Sequence, residues 1–173
     1  MPTMTSVSTL DEEQIERLLA AARQTIAKVR YCWLATRAEN GGANARAVQV
    51  FAGAEGSDEW SRRFVCRRGS RKVVEIGRDP RITLAYQDDT GDNYVALGGI
   101  ARVIADRAEM RELWPTSADK FFPPGFADAN MILVRVDVDR IEIHARGITG
   151  EPFGHGRTLI ERTQTGGWSF DPA

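Results

Sequence analysis

The stretch Arg67-Arg68-Gly69-Ser70-Arg71-Lys72, followed by Val73-Val74-Glu75-Ile76 and by Asp79-Pro80, is the part of this chain around which the rest is organised. An apolar run leads into a turn at Gly69. Ser70 then stands at the N-cap position of a short helix, where its hydroxyl can accept hydrogen bonds from free backbone N–H groups. We expect the helix to end at Gly77, because Pro80 cannot continue it.

The start of this predicted helix has the chemistry of a phosphate site. A helix N-terminus carries partial positive charge and unpaired backbone donors, which suit a phosphate dianion. Arg71 adds a planar fork of donors and Lys72 a compact point charge. A solvated helix start with basic neighbours has the same composition. The residues alone therefore leave both interpretations open.

Composition narrows the class of protein. The chain has 173 residues, 42% of them hydrophobic and 27% charged, with a net charge of -1. These values are typical of one globular domain, and we expect a single domain over residues 1–173, with residues 1–8 frayed. The net charge gives no general attraction to nucleic acid or to an anionic membrane. We found neither a membrane-spanning run nor a signal peptide.

The cysteines and histidines predict no metal site. Cys32 and Cys66 each lie in an apolar, strand-like run, which indicates buried reduced thiols and a cytoplasmic protein. His144 and His155 have no ligand spacing, and neither accompanies a nucleophile. We therefore expect no metal ligands and no catalytic side chains of the nucleophile–base type.

The hydrophobic periodicity predicts a mainly β protein. A helix begins at Thr9, whose capping box includes Glu12, and it ends near Arg30. A shorter helix at residues 107–114 follows Asp106 as its cap. Gly98-Gly99 predicts a bulge or a bend. Strands are predicted at residues 31–36, 43–51, 64–66, 82–86, 94–105, 131–138 and 141–144, with a possible last hairpin at 158–162 and 168–170.

Short antiparallel pairs without βαβ alternation favour an antiparallel barrel, since closure removes exposed edges. Arg46, Val48 and Val50 share one face of their strand. Arg46 therefore either lies at a barrel rim, reaches a ligand, or points to solvent. The acidic cluster at residues 88–93 lacks the spacing of a calcium loop and predicts a hairpin turn. The loop at residues 121–126 is rich in aromatics and prolines, so we expect it to pack on something, possibly another subunit.

The order of these features resembles the pyridoxamine 5'-phosphate oxidase-like family, the FMN-binding split barrels, and is most similar to its general stress protein 26 branch. The resemblance covers residues 10–144. The pieces that carry it most specifically are Ser70-Arg71-Lys72 with the downstream Asp79-Pro80, and Trp114 with the Phe-Pro loop that follows. The tail at residues 147–173 lies outside the pattern.

The resemblance implies a homodimer with FMN sites at the subunit interface. It places Arg46 at the phosphate or ribityl chain and Trp114 near the flavin of the partner subunit. A strand along the flavin, a strand facing its ring and a phosphate clamp complete the implied site. These three groups comprise Arg46, Ala47, Val48 and Gln49; Val65 and Cys66; and Ser70, Arg71 and Lys72.

The resemblance implies a flavin-dependent oxidoreductase acting on an unidentified small molecule, with the redox step carried by the cofactor. The C-terminal tail does not match true pyridoxamine phosphate oxidases, so we do not expect that reaction. A non-catalytic flavin-binding stress or carrier protein is the alternative. The same fold with a deazaflavin or haem in place of FMN is a third possibility, and the lack of a placed His or Cys ligand disfavours haem.

Overall fold

A computed structural model describes residues 6–150 and 157–171. The described chain is mainly β, with antiparallel strand pairs and three α-helices, which confirms the predicted fold class. The helices are α1 (Ser6–Lys28), α2 (Arg71–Arg78) and α3 (Arg107–Leu113). The strands are β1 (Cys32–Arg37), β2 (Ala43–Val48), β3 (Phe51–Ala52), β4 (Arg62–Arg67), β5 (Arg81–Asp88), β6 (Asn93–Ile104), β7 (Met131–His144), β8 (Thr158–Arg162) and β9 (Trp168–Asp171). Hydrogen bonds join them in the order β2-β1-β5-β6-β7-β4-β3, with β8 between β7 and β9.

The described residues form two compact units, and the prediction of one domain over residues 1–173 stays a prediction. The first unit comprises residues 6–30, 85–97, 139–150 and 157–171. Its α1 buries the apolar face predicted from the helical periodicity, including Leu18 and Ala22. Its predicted last hairpin is confirmed as β8 and β9. The buried core of this unit includes Leu18, Leu19, Ala22, Val95, Leu97, Ile141, Ile143 and Ile160.

The second unit comprises residues 31–84 and 98–138 and carries the stretch from which the sequence analysis began. Strand β4 pairs with the first half of β7, with Phe64 opposite Val134. It then turns into α2, as predicted. Asp106 caps α3 by accepting a hydrogen bond from the backbone N–H of Glu109 at 2.8 Å, also as predicted. The buried core of this unit includes Leu34, Phe64, Leu84, Met110, Leu133, Val134 and Val136.

Three predicted element boundaries are wrong. Helix α1 begins at Ser6, so Thr9 lies inside the helix rather than at its cap, because Ser6 to Ser8 contain no Gly or Pro to exclude helix. The predicted strand at residues 43–51 is two strands, because residues 43–48 pair with β1 whereas residues 51–52 pair with β4. The predicted sixth and seventh strands are one continuous strand, β7. Residues 1–5 of the segment predicted to be frayed, and His155 of the tail, lie outside the described residues.

Gly98-Gly99 lies within the continuous strand β6, where it marks a close approach of two backbones. A Cβ atom added at Gly99 would lie 2.3 Å from the carbonyl oxygen of Asp137 on β7. Only glycine allows the strands to come this close. The acidic cluster of residues 88–93 forms the turn between β5 and β6, as predicted, with the Asp88 carboxylate accepting from the backbone N–H of Gly91 at 3.2 Å.

Candidate functional site

The second unit contains a cavity of about 850 Å³. Its walls come from the end of β2, from β4, from the start of α2 and from the loop that precedes β7. The volume lies within the range of roughly 300–1,000 Å³ that is usual for small-molecule sites. Seven of the ten predicted site residues line this cavity, namely Ala47, Val48, Gln49, Val65, Cys66, Ser70 and Lys72. Arg46, Arg71 and Trp114 are not among its lining residues.

Ser70 occupies the predicted N-cap position of α2, but its hydroxyl does not cap the helix. Its backbone is extended (φ -69°, ψ 147°), as a cap requires, and no side-chain hydrogen bond to the helix start is formed. The Oγ atom is buried and makes no hydrogen bond of normal geometry within residues 6–150 and 157–171, although it lies near the Cys66 thiol, which is a weak hydrogen-bonding group. Burying a hydroxyl without a hydrogen-bond partner costs free energy. A ligand group that hydrogen-bonds to this atom would remove that cost.

Lys72 and Cys66 lie beside this hydroxyl in the cavity wall. Burial raises the pKa of the Cys66 thiol, and the nearby Lys72 charge and Ser70 hydroxyl offset that rise in part. The thiol is therefore protonated at neutral pH, which makes it an apolar wall atom rather than a nucleophile. Lys72 supplies a cation at the N-terminal end of α2, where the helix dipole also favours an anion.

Arg71 is not among the residues that line the cavity. Its side chain is 67% exposed, and its Nε atom lies 3.5 Å from the Oε1 atom of Glu75, one helical turn further on. The predicted role of Arg71 in a phosphate clamp stays a prediction.

Arg46 donates to Glu75 inside the protein, with Nη2 lying 2.5 Å from Oε2. The same carboxylate accepts from the hydroxyl of Thr36 at 2.6 Å and from the amide of Asn44 at 2.5 Å. Burial alone would raise the pKa of Glu75, but the hydrogen bonds from Thr36, Arg46 and Asn44 outweigh burial and hold that pKa at about 2. Glu75 is thus ionised at neutral pH, and the cluster is a buried ion pair.

Trp114 is buried within its own chain. It follows α3, its Nε1 atom donates to Asp119 Oδ1 at 2.8 Å, and its ring meets Phe126 edge-on at 5.5 Å. These contacts fix the ring at the end of α3. Its predicted position near the flavin of a partner subunit stays a prediction.

The cavity also has lining residues that the sequence analysis did not place in the site. They are Tyr31, Arg67, Phe121, Phe122, Pro123, Asp128 and Met131. The aromatic and proline-rich loop at residues 121–126 was predicted to pack against something, and its first three residues form a wall of the cavity. Arg67 precedes the helix in the opening stretch. Tyr31 and Met131 carry no local pattern that distinguishes a site residue from a core or surface residue.

Metal chemistry has no ligand set in the part of the chain that the structure describes. No group of three or more His, Cys, Asp or Glu side chains within it could hold an ion. The Nδ1 atom of His144 contacts the hydroxyl of Thr149 at 3.0 Å and the carbonyl of Gly150 at 3.1 Å, which gives this histidine a structural role. Both cysteines are buried free thiols. In the described ranges, no helix has the length and apolar character needed to cross a bilayer.

Comparison with known families gives a match that covers most of the chain. The model of the family described as "Pyridoxamine 5'-phosphate oxidase like" matches residues 18–147. A search of curated proteins found no significant match.

Many solved structures match this chain, and the three described next are less than 20% identical to it. A protein of Clostridium acetobutylicum related to general stress protein 26 is 19% identical, with a TM-score of 0.64 over 76% of this chain and 90% of that chain. A pyridoxamine 5'-phosphate oxidase-related, FMN-binding protein of Nostoc punctiforme is 19% identical, with a TM-score of 0.61 over 100% and 99% of the two chains. A structure named F420 reductase is 18% identical, with a TM-score of 0.50 over 64% of this chain and 87% of that chain. The split-barrel fold predicted from the sequence is thereby confirmed.

Proposed function

The chain belongs to the pyridoxamine 5'-phosphate oxidase-like family, and from this premise we propose that its cavity binds FMN with the phosphate at the start of α2. The observation that carries the proposal is the buried Ser70 hydroxyl, which makes no hydrogen bond of normal geometry among the described residues and lies in the cavity wall with Lys72. A phosphate oxygen would accept from this hydroxyl, and Lys72 would neutralise part of its charge. The sequence pattern, through Ser70 and Lys72, supports the same end of the cavity.

The remaining walls fit a flavin ring. Val48, Val65, Phe122 and Met131 offer apolar surface, and the protonated thiol of Cys66 adds to it. A flat aromatic ring system is held by such walls, with a few polar groups fixing its orientation. Gln49, at the end of the β2 segment, is a polar candidate for that role.

Bound FMN would supply the redox chemistry, and the residues of this chain would bind, orient and shield it. We propose that the protein is an FMN-dependent oxidoreductase of a small molecule. A non-catalytic flavin carrier is the alternative, since no lining residue of the cavity forms a nucleophile–base pair. A deazaflavin is the second cofactor candidate, because one solved structure with this fold is an F420 reductase. A cytoplasmic location is part of the proposal, since both cysteines are free thiols.

We also propose that the protein is a homodimer in which a second copy closes the cavity. Trp33 and Tyr31 are 55% and 52% exposed, although both are large and hydrophobic. Trp33 lies opposite Ala47 in the β1–β2 pair, and Ala47 and Tyr31 also line the cavity. An apolar sheet face of this kind, beside a ligand cavity, is a typical contact surface. Analytical ultracentrifugation should give a dimer for the wild type and a monomer for Trp33→Arg; a monomeric wild type would exclude this arrangement.

The test of the cofactor site compares FMN with riboflavin, which lacks the phosphate. Purified protein should retain a flavin spectrum after excess FMN is removed, and it should bind FMN at least tenfold more tightly than riboflavin. Lys72→Ala should weaken FMN binding tenfold or more, since one charge-assisted hydrogen bond contributes about 1.5–3 kcal/mol, and should leave riboflavin binding unchanged. Ser70→Ala should act in the same direction.

The matched control is Lys120→Ala, which removes the same charge from an exposed residue that is not among the cavity's lining residues. Equal affinity of the wild type for FMN and riboflavin would refute the phosphate assignment. A folded protein that retains a deazaflavin but not FMN would change the cofactor. Anaerobic reduction of bound FMN by NADH or NADPH supports an oxidoreductase, whereas tight FMN without reduction by any donor supports the carrier.

A further inference from the structure

Glu75 joins α2 to the β1–β2 hairpin through three hydrogen bonds. Its side chain is 5% exposed, and its carboxylate oxygens accept from Thr36 on β1 and from Asn44 and Arg46 on β2. Thr36 lies opposite Asn44 in the strand register, and Arg46 follows two residues later on the same face. The hairpin therefore presents three converging donors to one point on α2.

The Arg46 guanidinium donates hydrogen bonds within this cluster. Its Nη1 atom donates to the hydroxyl of Thr36 at 2.5 Å while Nη2 donates to Glu75, and the side chain is only 18% exposed. If Arg46 swung out to meet a phosphate, the buried Glu75 carboxylate would lose its closest cation, and the mostly exposed Arg71, 3.5 Å from its Oε1 atom, would be the cation left beside it. Removing one partner of a buried pair is strongly destabilising, so the movement is unfavourable.

The position of helix α2 depends on its contacts with the rest of the protein. It has eight residues, and a helix of this length is not stable by itself. Its buried residues are Glu75 and Ile76, which lie one turn after the cavity residues Ser70 and Lys72. The ion pair and the single apolar side chain therefore determine where the start of the helix lies.

We infer that the Arg46–Glu75 pair is a positioning device for the cofactor phosphate: it fixes the start of α2 so that Ser70 and Lys72 meet the phosphate, while neither Arg46 nor Glu75 touches it. The inference rests on the proposed FMN site. It assigns Arg46 a different role from direct contact with the phosphate or ribityl chain. It also gives Glu75, which the sequence analysis did not place in the site, a part in cofactor binding.

The test is the ratio of the FMN and riboflavin dissociation constants, measured by flavin fluorescence titration. Glu75→Gln keeps the side-chain shape but removes the charge and one acceptor. We expect FMN binding to weaken about tenfold and riboflavin binding to change by less than twofold, because only the phosphate end of the site depends on the start of α2. A role in general stability alone would leave the ratio unchanged in protein that is still folded.

The matched control is Asp88→Asn in the first unit. Asp88 is also a buried carboxylate, paired with Lys28 at 3.2 Å and bonded to Thr90 and to the backbone N–H of Gly91, but it does not line this cavity. Asp88→Asn, which removes this buried charge, should not change the ratio of the FMN and riboflavin dissociation constants. A change equal to that of Glu75→Gln would mean that any lost buried ion pair disturbs the site, which contradicts the inference.

A double variant separates positioning from direct contact. The variant Arg46→Met with Glu75→Leu removes both charges and replaces the ion pair by an apolar contact. Proteins often tolerate such a replacement of a buried ion pair. If the pair only positions α2, this variant should bind FMN within about threefold of the wild type. If Arg46 contacts the phosphate, FMN binding stays tenfold or more weaker, and the inference is wrong.

The remaining outcomes are also decisive. Tighter FMN binding by Glu75→Gln would show that the carboxylate competes with the phosphate for Arg46, and it would overturn the inference. A wild type that binds FMN and riboflavin equally tightly refutes the phosphate assignment of the proposed function, on which the inference rests. A wild type that distinguishes them, with a ratio that Glu75→Gln leaves unchanged, removes only the positioning role.

Discussion

Replacing Arg46 by methionine should destabilise the protein mainly through the charge that it leaves behind. Glu75 would then be a carboxylate with a 5% exposed side chain and no cation on its Oε2 atom. Breaking a buried pair in this way costs about 3–5 kcal/mol. At roughly 2–4 °C per kcal/mol for a chain of this size, the melting temperature should fall by about 10 °C.

The measurement is urea unfolding without flavin, followed by tryptophan fluorescence and circular dichroism at neutral pH. Arg46→Met and Glu75→Leu should each lower the free energy of unfolding, whereas the double variant should lose much less than the sum of the two. The non-additivity isolates the coupling within the pair. A loss below about 1 kcal/mol for Arg46→Met, or strict additivity, would refute the interpretation of the cluster as a coupled buried ion pair.

The pH dependence gives a second check on the same variant. Without Arg46, the hydrogen bond and the positive charge that this residue contributes no longer lower the pKa of Glu75, so that pKa rises and the carboxylate takes up a proton at a higher pH. A neutral carboxyl group is far cheaper to bury than a charged one. The penalty for Arg46→Met should therefore shrink as the pH falls from 7 to 4. A penalty that is constant over this range would contradict the charge argument.

The other predictions concern the acid limit, the β6–β7 approach and the α3 cap. The pKa values of Glu75 and Asp88 are both about 2, below their unfolded values of 4.5 and 3.8. The stability that these two carboxylates contribute is therefore present above pH 5 and is lost as the pH falls towards 2. Acid unfolding monitored by circular dichroism should show this loss. Gly99→Ala should lower the free energy of unfolding by more than about 1 kcal/mol, since the new Cβ would lie 2.3 Å from a backbone oxygen of β7. Gly77→Ala, whose Cβ would have no atom within 4 Å, should stabilise α2 by about 0.5–1 kcal/mol. Equal effects of the two variants in thermal melts would contradict the steric argument. Asp106→Ala should lower the free energy of unfolding by about 1 kcal/mol through the lost cap of α3, and Asp106→Asn should retain most of it.

Local patterns were sufficient for most of the fold and for the helix start that lines the candidate site. The turn at Gly69, the cap position of Ser70 and the cap at Asp106 are each set by residues within a few positions of one another, so they are visible in the sequence. The division at residues 48–51 was missed for the opposite reason. The chain there changes its pairing partner from β1 to β4, and only the partner strands reveal that change.

The candidate site shows the same limit at the level of side chains. A basic stretch after a capped helix start predicts a phosphate site, and Ser70 and Lys72 line the cavity. The sequence does not show which Arg and Lys side chains form ion pairs with carboxylates of the same chain. Arg46 looked available for a ligand because its strand alternation gives only a face, whereas its partner Glu75 is 29 residues away.

By itself the sequence determined the antiparallel β architecture, the helix start with its basic residues and the family, because periodicity, capping and short motifs act over neighbouring residues. Only the tertiary structure decided how those groups are used. It left the Ser70 hydroxyl buried without a hydrogen bond of normal geometry among the described residues, directed Arg46 to Glu75, and brought the loop that begins at Phe121 to the cavity. The physical reason is that burial and charge pairing depend on which segments pack together, and residues far apart in the chain supply those partners.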